Sequence, residues 1–173
     1  MAIRPVSSPV AFETIVDYFL RAKDEYLLGM GVERARLFGR AEWLERLTAD
    51  LGRPDPEKEA CFVLWEVDGA AVGHSNINKI LYENEAFIHL HLWPPSLRRQ
   101  GRGTDLFKQS AALFMERFKL RRLICEPFAG NPAPNRVVPR AGFRFIRSYR
   151  RPAGGINYEQ EVNRYELELP PVP

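Results

Sequence analysis

The stretch His89–Phe107, HLHLWPPSLRRQGRGTDLF, changes its pattern three times. It begins as an alternating strand and breaks at Pro94-Pro95. It then turns through Gly101 and Gly103 among three arginines and enters an apolar helical face. Strand, glycine turn and helix, in that order, form a recipe for seating a phosphate. The first N–H groups of a helix lack helical partners, and the helix dipole favours an anion there. Glycine lets the backbone approach closely and tolerates positive φ. Arg98, Arg99 and Arg102 can add charge-assisted bonds.

Several phosphate loops are excluded. A dinucleotide fingerprint needs a third glycine where Leu106 stands. A nucleotide P-loop needs Gly-Lys followed by Ser or Thr, which the chain lacks. A kinase glycine loop fits neither the context nor the length.

Outward from this stretch the pattern alternates between helix and strand. Upstream, AFETIVDYFLRAKDEYLLGM and RAEWLERLTADLG have helical spacing, the first through Phe12, Ile15, Val16, Phe19, Leu20 and Leu27. A short strand in AIRPVS precedes them. ACFVLWEVDG ends in Asp-Gly, a hairpin signal, and AAVGHSNINKILY returns. EAFIHLHLW is the next strand. Downstream, TDLFKQSAALFMERFKL is an amphipathic helix and RRLICEPF a short buried strand. NPAPNRVVPRAG reads as a turn and a proline-rich short helix, and FRFIRSYRRP with YEQEVNRYELEL as a closing hairpin. The result is a mixed α/β protein. At 173 residues it is long enough for one domain with a core and short for two.

Composition narrows the function. No apolar run reaches the ~20 residues of a membrane span. The N-terminus lacks a basic start followed by an apolar block, and Cys61 and Cys125 sit in apolar strand-like runs as buried free thiols. The expected compartment is the cytoplasm. The net charge of +3 hides an asymmetry: Arg98 to Arg151 carries 14 Lys/Arg against three acids, a net +11, and the remainder is −8. A basic block in an acidic chain suggests a localised anionic ligand. Nucleic acid is the disfavoured version of that ligand, since the arginines cluster around a glycine turn and no nucleic-acid motif is present.

Arg98-x-x-Gly101-x-Gly103, between a strand and a helix, resembles the pyrophosphate-binding segment of the GNAT acyltransferases. Pro95 matches the family's strand-exit proline. NPAPNRVVPRAGF resembles its second half through Asn131, Asn135, Arg136, Val137, Gly142 and Phe143, most like the RimJ/RimL-type branch. The specific resemblance covers about residues 87–145. It implies a twisted mixed sheet of six to seven strands with flanking helices. The fourth and fifth strands, AFIHLHLW and RRLICEPF, run parallel and splay apart. The implied cosubstrate is acetyl-CoA, the implied partner an amine acceptor, and a homodimer is one open assembly, with YEQEVNRYELEL as its edge.

By this resemblance the end of the fourth strand, Leu92 and Trp93, pairs with pantetheine. The N–H groups of Arg99, Gln100, Gly101, Arg102, Gly103 and Thr104 hold the pyrophosphate, with the Arg98 and Arg102 side chains. Asn131 hydrogen-bonds the cofactor, or caps a helix before Pro132. Asn135 and Arg136 contact pantetheine or the adenosine phosphate. The family's thiolate-protonating tyrosine falls at Val138, so that acid is absent from its usual place. Tyr149, Tyr158 or water remain as donors.

For the base, strand alternation puts His89 and His91 on one face with Phe87 and Trp93. Histidine titrates near neutrality, as a base should. Glu85 at the strand entry is the carboxylate alternative, and both histidines can instead fill a sheet–helix interface. A His-x-His pair can also ligate zinc, but no third ligand has a zinc spacing, and no metal is expected. Freeing a lysine amine at pH 7 costs roughly 4.6 kcal/mol, against about 1.4 kcal/mol for an α-amine. A weak base therefore favours a low-pKa amine. The acceptor would be met by EYLLGMGVERARLFGR and the last hairpin. The competing reading is a non-catalytic acyl-CoA sensor on the same fold, favoured by Val138.

Overall fold

A computed structural model describes residues 1–97 and 100–169. The chain runs β1 (Ala2–Pro5), α1 (Pro9–Leu20), α2 (Asp24–Gly29), α3 (Arg40–Thr48), β2 (Ala60–Val67), β3 (Ala70–Leu81) and β4 (Glu85–Leu92). It continues through α4 (Arg102–Arg117), β5 (Arg122–Cys125), α5 (Pro132–Arg140), β6 (Arg144–Arg151) and β7 (Gln160–Glu168). One seven-stranded sheet takes the order β1-β2-β3-β4-β5-β7-β6.

The sheet separates two apolar layers. One face packs on α4 and α5 through Trp65, Ile88, Phe107, Phe114 and Phe143. The other packs on the N-terminal helices through Phe12, Val16, Phe19, Trp43 and Leu64. The β2–β3 hairpin turns at Asp68-Gly69, both at positive φ (52° and 79°), as that dipeptide predicts.

Two local expectations change. The N-terminal helix is two helices: the apolar stripe through Phe12, Ile15, Val16 and Phe19 would next fall on Ala22 and the exposed Lys23, and α1 stops at Leu20. A turn follows Leu20, and α2 returns Leu27 to the core. The strand expected to form a dimer edge is β7. It lies inside the sheet, paired with β5 on one side and β6 on the other. The edge strand is β6, where Arg144, Phe145, Arg147 and Arg150 are exposed.

β4 and β5 form the sheet's parallel pair. They are in register only at Glu85↔Arg122, Ala86↔Leu123 and Phe87↔Ile124. Beyond Phe87, β4 continues to Leu92 against β3 alone. The parallel strands therefore part after three residue pairs, and a wedge opens between them.

Candidate active site

The wedge opens into a cleft of about 1610 Å³. It reaches from the start of α4 to the N-terminal helices and the β6–β7 connection. On one side β4 contributes its open edge. The Trp93 N–H bonds to Val72 O on β3 (2.9 Å). Antiparallel alternation then turns the backbone groups of Leu90 towards the other edge, into the wedge. Leu92 stands on the same edge, and its side chain lines the cleft. Trp93 does not serve as expected: its backbone donor is spent on Val72, and its indole donates to His74 Nδ1 (3.1 Å).

The glycine turn sits at the cleft wall, which takes in Gly101, Gly103 and Thr104. Gly101 is the N-cap of α4 at φ 77°, a conformation costly for any residue with a Cβ. Gly103 has ordinary helical backbone, and a Cβ there would meet only Leu92 Cδ2 at 3.6 Å. Its bare Cα is thus not needed for packing; it keeps the cleft wall open. The Thr104 N–H is already bonded to Gly101 O (2.9 Å), which removes it from the expected set of phosphate donors. Gln100 is folded back onto Ser96 O (2.9 Å). Arg102 opens α4 outside the cleft wall. Arg98 and Arg99 lie outside the described residues.

The opposite wall carries α5. Asn131 caps it, accepting the Ala133 N–H at 3.3 Å, and Pro132 occupies N1 where no N–H is needed. Asn131 and Arg136 line the cleft. Asn135 does not. Its amide donates to Phe128 O (2.9 Å) and Asn131 O (2.7 Å), and its oxygen accepts from Asn163 Nδ2 (2.8 Å) and the Tyr165 hydroxyl (3.1 Å). All four hydrogen-bonding positions are taken. Asn135 therefore fixes the loop that carries Asn131 instead of meeting a ligand. Val138 is fully buried in the core beside α4, so its side chain faces away from any reaction.

His89 and His91 take different places. His91 stacks on His74 (ring centroids 4.6 Å, 14° between planes) and packs against Tyr18 and Phe19 of α1. Burial, then the neighbouring His89, push it down to about 3. His74 is held well below its usual value by burial and by the other two histidines. His89 lies deeper in the wedge, opposite Asn76 on β3. Its Nε2 is 3.2 Å from Asn78 Oδ1, a contact that requires the Nε2–H tautomer and leaves the lone pair on Nδ1. Burial first, then the charges of Arg151 and Lys79, bring it to about 4. All three imidazoles are neutral at pH 7. Glu85 stands at the closed end of the wedge in a salt bridge with Arg122 and is not part of the cleft wall.

Sequence reasoning missed Glu126, which follows β5. Its side chain is 3% exposed. It accepts the Tyr149 hydroxyl (2.8 Å) and pairs with Arg164 (3.1 Å) and Arg151 (3.6 Å). Burial and that hydrogen bond push Tyr149 above the usual phenol value. Among the described residues, no three His, Cys, Asp or Glu are grouped to hold a metal ion, and no helix is long and apolar enough to cross a membrane. Cys61 and Cys125 are buried free thiols, both pushed up chiefly by burial.

A family model described as Acetyltransferase (GNAT) domain matches residues 8–144. No curated protein matches the chain in sequence. Solved structures share its fold. A RimL ribosomal L7/L12 alpha-N-protein acetyltransferase in complex with coenzyme A is 16% identical (TM-score 0.76, 96% of this chain and 93% of that one). The microcin C7 self-immunity acetyltransferase MccE, with acetyl-CoA and AMP, is 12% identical (TM-score 0.75, 96% and 92%). A spermidine N-acetyltransferase from Vibrio cholerae, with CoA and spermine, is 13% identical (TM-score 0.74, 96% and 94%).

Proposed function

The chain belongs to the GNAT acetyltransferase family, and from that premise we propose that it moves an acetyl group from acetyl-CoA to a primary amine of low pKa, with His89 as base. The observation that carries this reading is the splay itself. β4 leaves β5 after Phe87, and the next cleft-facing side chain on β4 is a neutral imidazole with its lone pair on Nδ1.

The cleft fits the cosubstrate. The edge of β4 at Leu90 would bond the pantetheine amides, with the Leu92 side chain against the cosubstrate. The first turn of α4 at Gly101 and Gly103 would receive the pyrophosphate. Asn131 and Arg136 would flank it. Arg98 and Arg99 remain proposed partners of the phosphates.

The chemistry asked of the chain is small. The amine nitrogen attacks the thioester carbonyl, the C–S bond breaks and an amide forms. The nitrogen turns cationic as it attacks and becomes far more acidic than a free ammonium. His89 Nδ1 then takes its proton, while Asn78 holds the ring. The leaving thiolate takes its proton from water, since Val138 offers no hydroxyl. A base at about 4 cannot strip a protonated lysine, so the acceptor arrives neutral. A protein or peptide α-amine meets that condition, as does a small-molecule amine of similar pKa. We place the reaction in the cytoplasm and in a single domain.

The test is regiospecificity. A peptide with a free α-amine and one internal lysine, incubated with acetyl-CoA, should be acetylated at its N-terminus by mass spectrometry. Acetylation confined to the lysine would refute a low-pKa acceptor. Acetyl-CoA binding with no product on any amine would favour the sensor reading that Val138 suggests.

A further inference from the structure

The proton inventory at Glu126 decides what Tyr149 can do. Glu126 is a buried carboxylate held by two arginines. The Tyr149 hydroxyl must therefore donate to it across their 2.8 Å contact. That commits the only O–H and leaves the phenol oxygen as an acceptor. Both side chains line the cleft. They lie on the His89 side of the cleft: Arg151, which pairs with Glu126 at 3.6 Å, is close enough for its charge to act on His89.

We propose that Tyr149, oriented by Glu126, is the hydrogen-bond acceptor that seats the N–H of the acceptor amine opposite His89, in a subsite that takes one neutral amine and rejects polyamines. The assignment rests on the acetyltransferase reading above. Glu126 acts through Tyr149 and is a positioning residue.

Charge supplies the selectivity. Lys79 and Arg151 line the cleft and are both close enough for their charges to act on His89. Glu126 is already neutralised by Arg151 and Arg164. Among the described residues that line the cleft, the other carboxylate is Glu25 of α2, which is exposed, so a second ammonium beside His89 would meet the charges of Lys79 and Arg151. The same field disfavours a protonated amine beside His89, as it disfavours a protonated His89. It therefore helps deliver the amine in its reactive form.

The experiment is steady-state acetylation of an α-amine peptide at saturating acetyl-CoA, with acetyl-CoA affinity measured separately by calorimetry. Tyr149→Phe should raise the peptide KM about tenfold, the loss of one hydrogen bond, and leave kcat and acetyl-CoA affinity within about twofold. Glu126→Gln should reproduce the KM effect with the tyrosine still present, because a carboxamide N–H can donate to the phenol oxygen and occupy it. Wild-type protein should use spermidine at least about tenfold less efficiently than the peptide. An unchanged peptide KM in Tyr149→Phe, or an equal loss of acetyl-CoA affinity, overturns the assignment. Preference for spermidine overturns the selectivity. A wild-type protein that acetylates no amine at all overturns the acetyltransferase reading, and the subsite falls with it.

Discussion

His89 and His91 look alike in the sequence, two residues apart on one strand face, and the fold gives them different work. His91 is a member of an aromatic layer with His74, Tyr18 and Phe19. His89 is anchored by Asn78 at the wedge. Alternation could put both on a face, but it could not say which one α1 would cover. His89→Ala should lower turnover by about 10²-fold or more, the usual weight of a general base, with acetyl-CoA affinity unchanged. Equal turnover would remove His89 as base. Their common burial also has a thermodynamic cost. In the folded state His89 titrates at about 4 and His91 at about 3, both below the ordinary 6.5. As pH falls, the unfolded chain takes up protons first. The stability from these groups is full above about pH 6.5 and is lost as pH falls towards 4, about 3 kcal/mol for His89 alone. The urea midpoint should therefore drop steadily between pH 6.5 and 4.5. A flat midpoint over that range would contradict the buried neutral histidines.

At the scale of elements, the glycine turn and the proline-rich helix were legible because their chemistry is local. Gly101 does stand at positive φ at the mouth of α4, and Asn131 does cap α5 ahead of Pro132. Asn135 was misread as a ligand contact because its four partners come from loop, helix and β7, a set that no local pattern contains. The two glycines have separable roles. Gly103→Val adds a side chain that the fold accepts and the cleft does not, so acetyl-CoA affinity should fall tenfold or more (about 1.4 kcal/mol) with no loss of melting temperature. Gly101→Val meets no atom within 4 Å but forces a branched residue into the left-handed region, and should destabilise the fold by about 1–2 kcal/mol. Calorimetry and thermal melts on the pair separate the two effects; an intact affinity in folded Gly103→Val would remove the pyrophosphate seat from this turn.

For the whole molecule, the charge asymmetry between the basic segment and the rest was visible in composition, and its meaning changed on folding. Arg117 pairs with Asp55, Arg122 with Glu85, Arg150 with Glu159 and Arg151 with Glu126. Much of the basic block is thus spent on acids inside the fold or beside it. Arg136 and Arg140 stand at the cleft, where an anion would meet them. The parallel pairing of β4 with β5 was expected from the family resemblance, and the place of β7 inside the sheet was not. Nor was the point at which β4 leaves β5, because it depends on a register of three pairs between segments 37 residues apart. That parting is what makes a sheet into an enzyme here. The most direct test follows free thiol and N-acetylated product together, from acetyl-CoA and a neutral α-amine peptide. The account predicts one thiol for each amide formed, in a reaction that His89→Ala slows. Tight acetyl-CoA binding with no thiol released on any amine would contradict it.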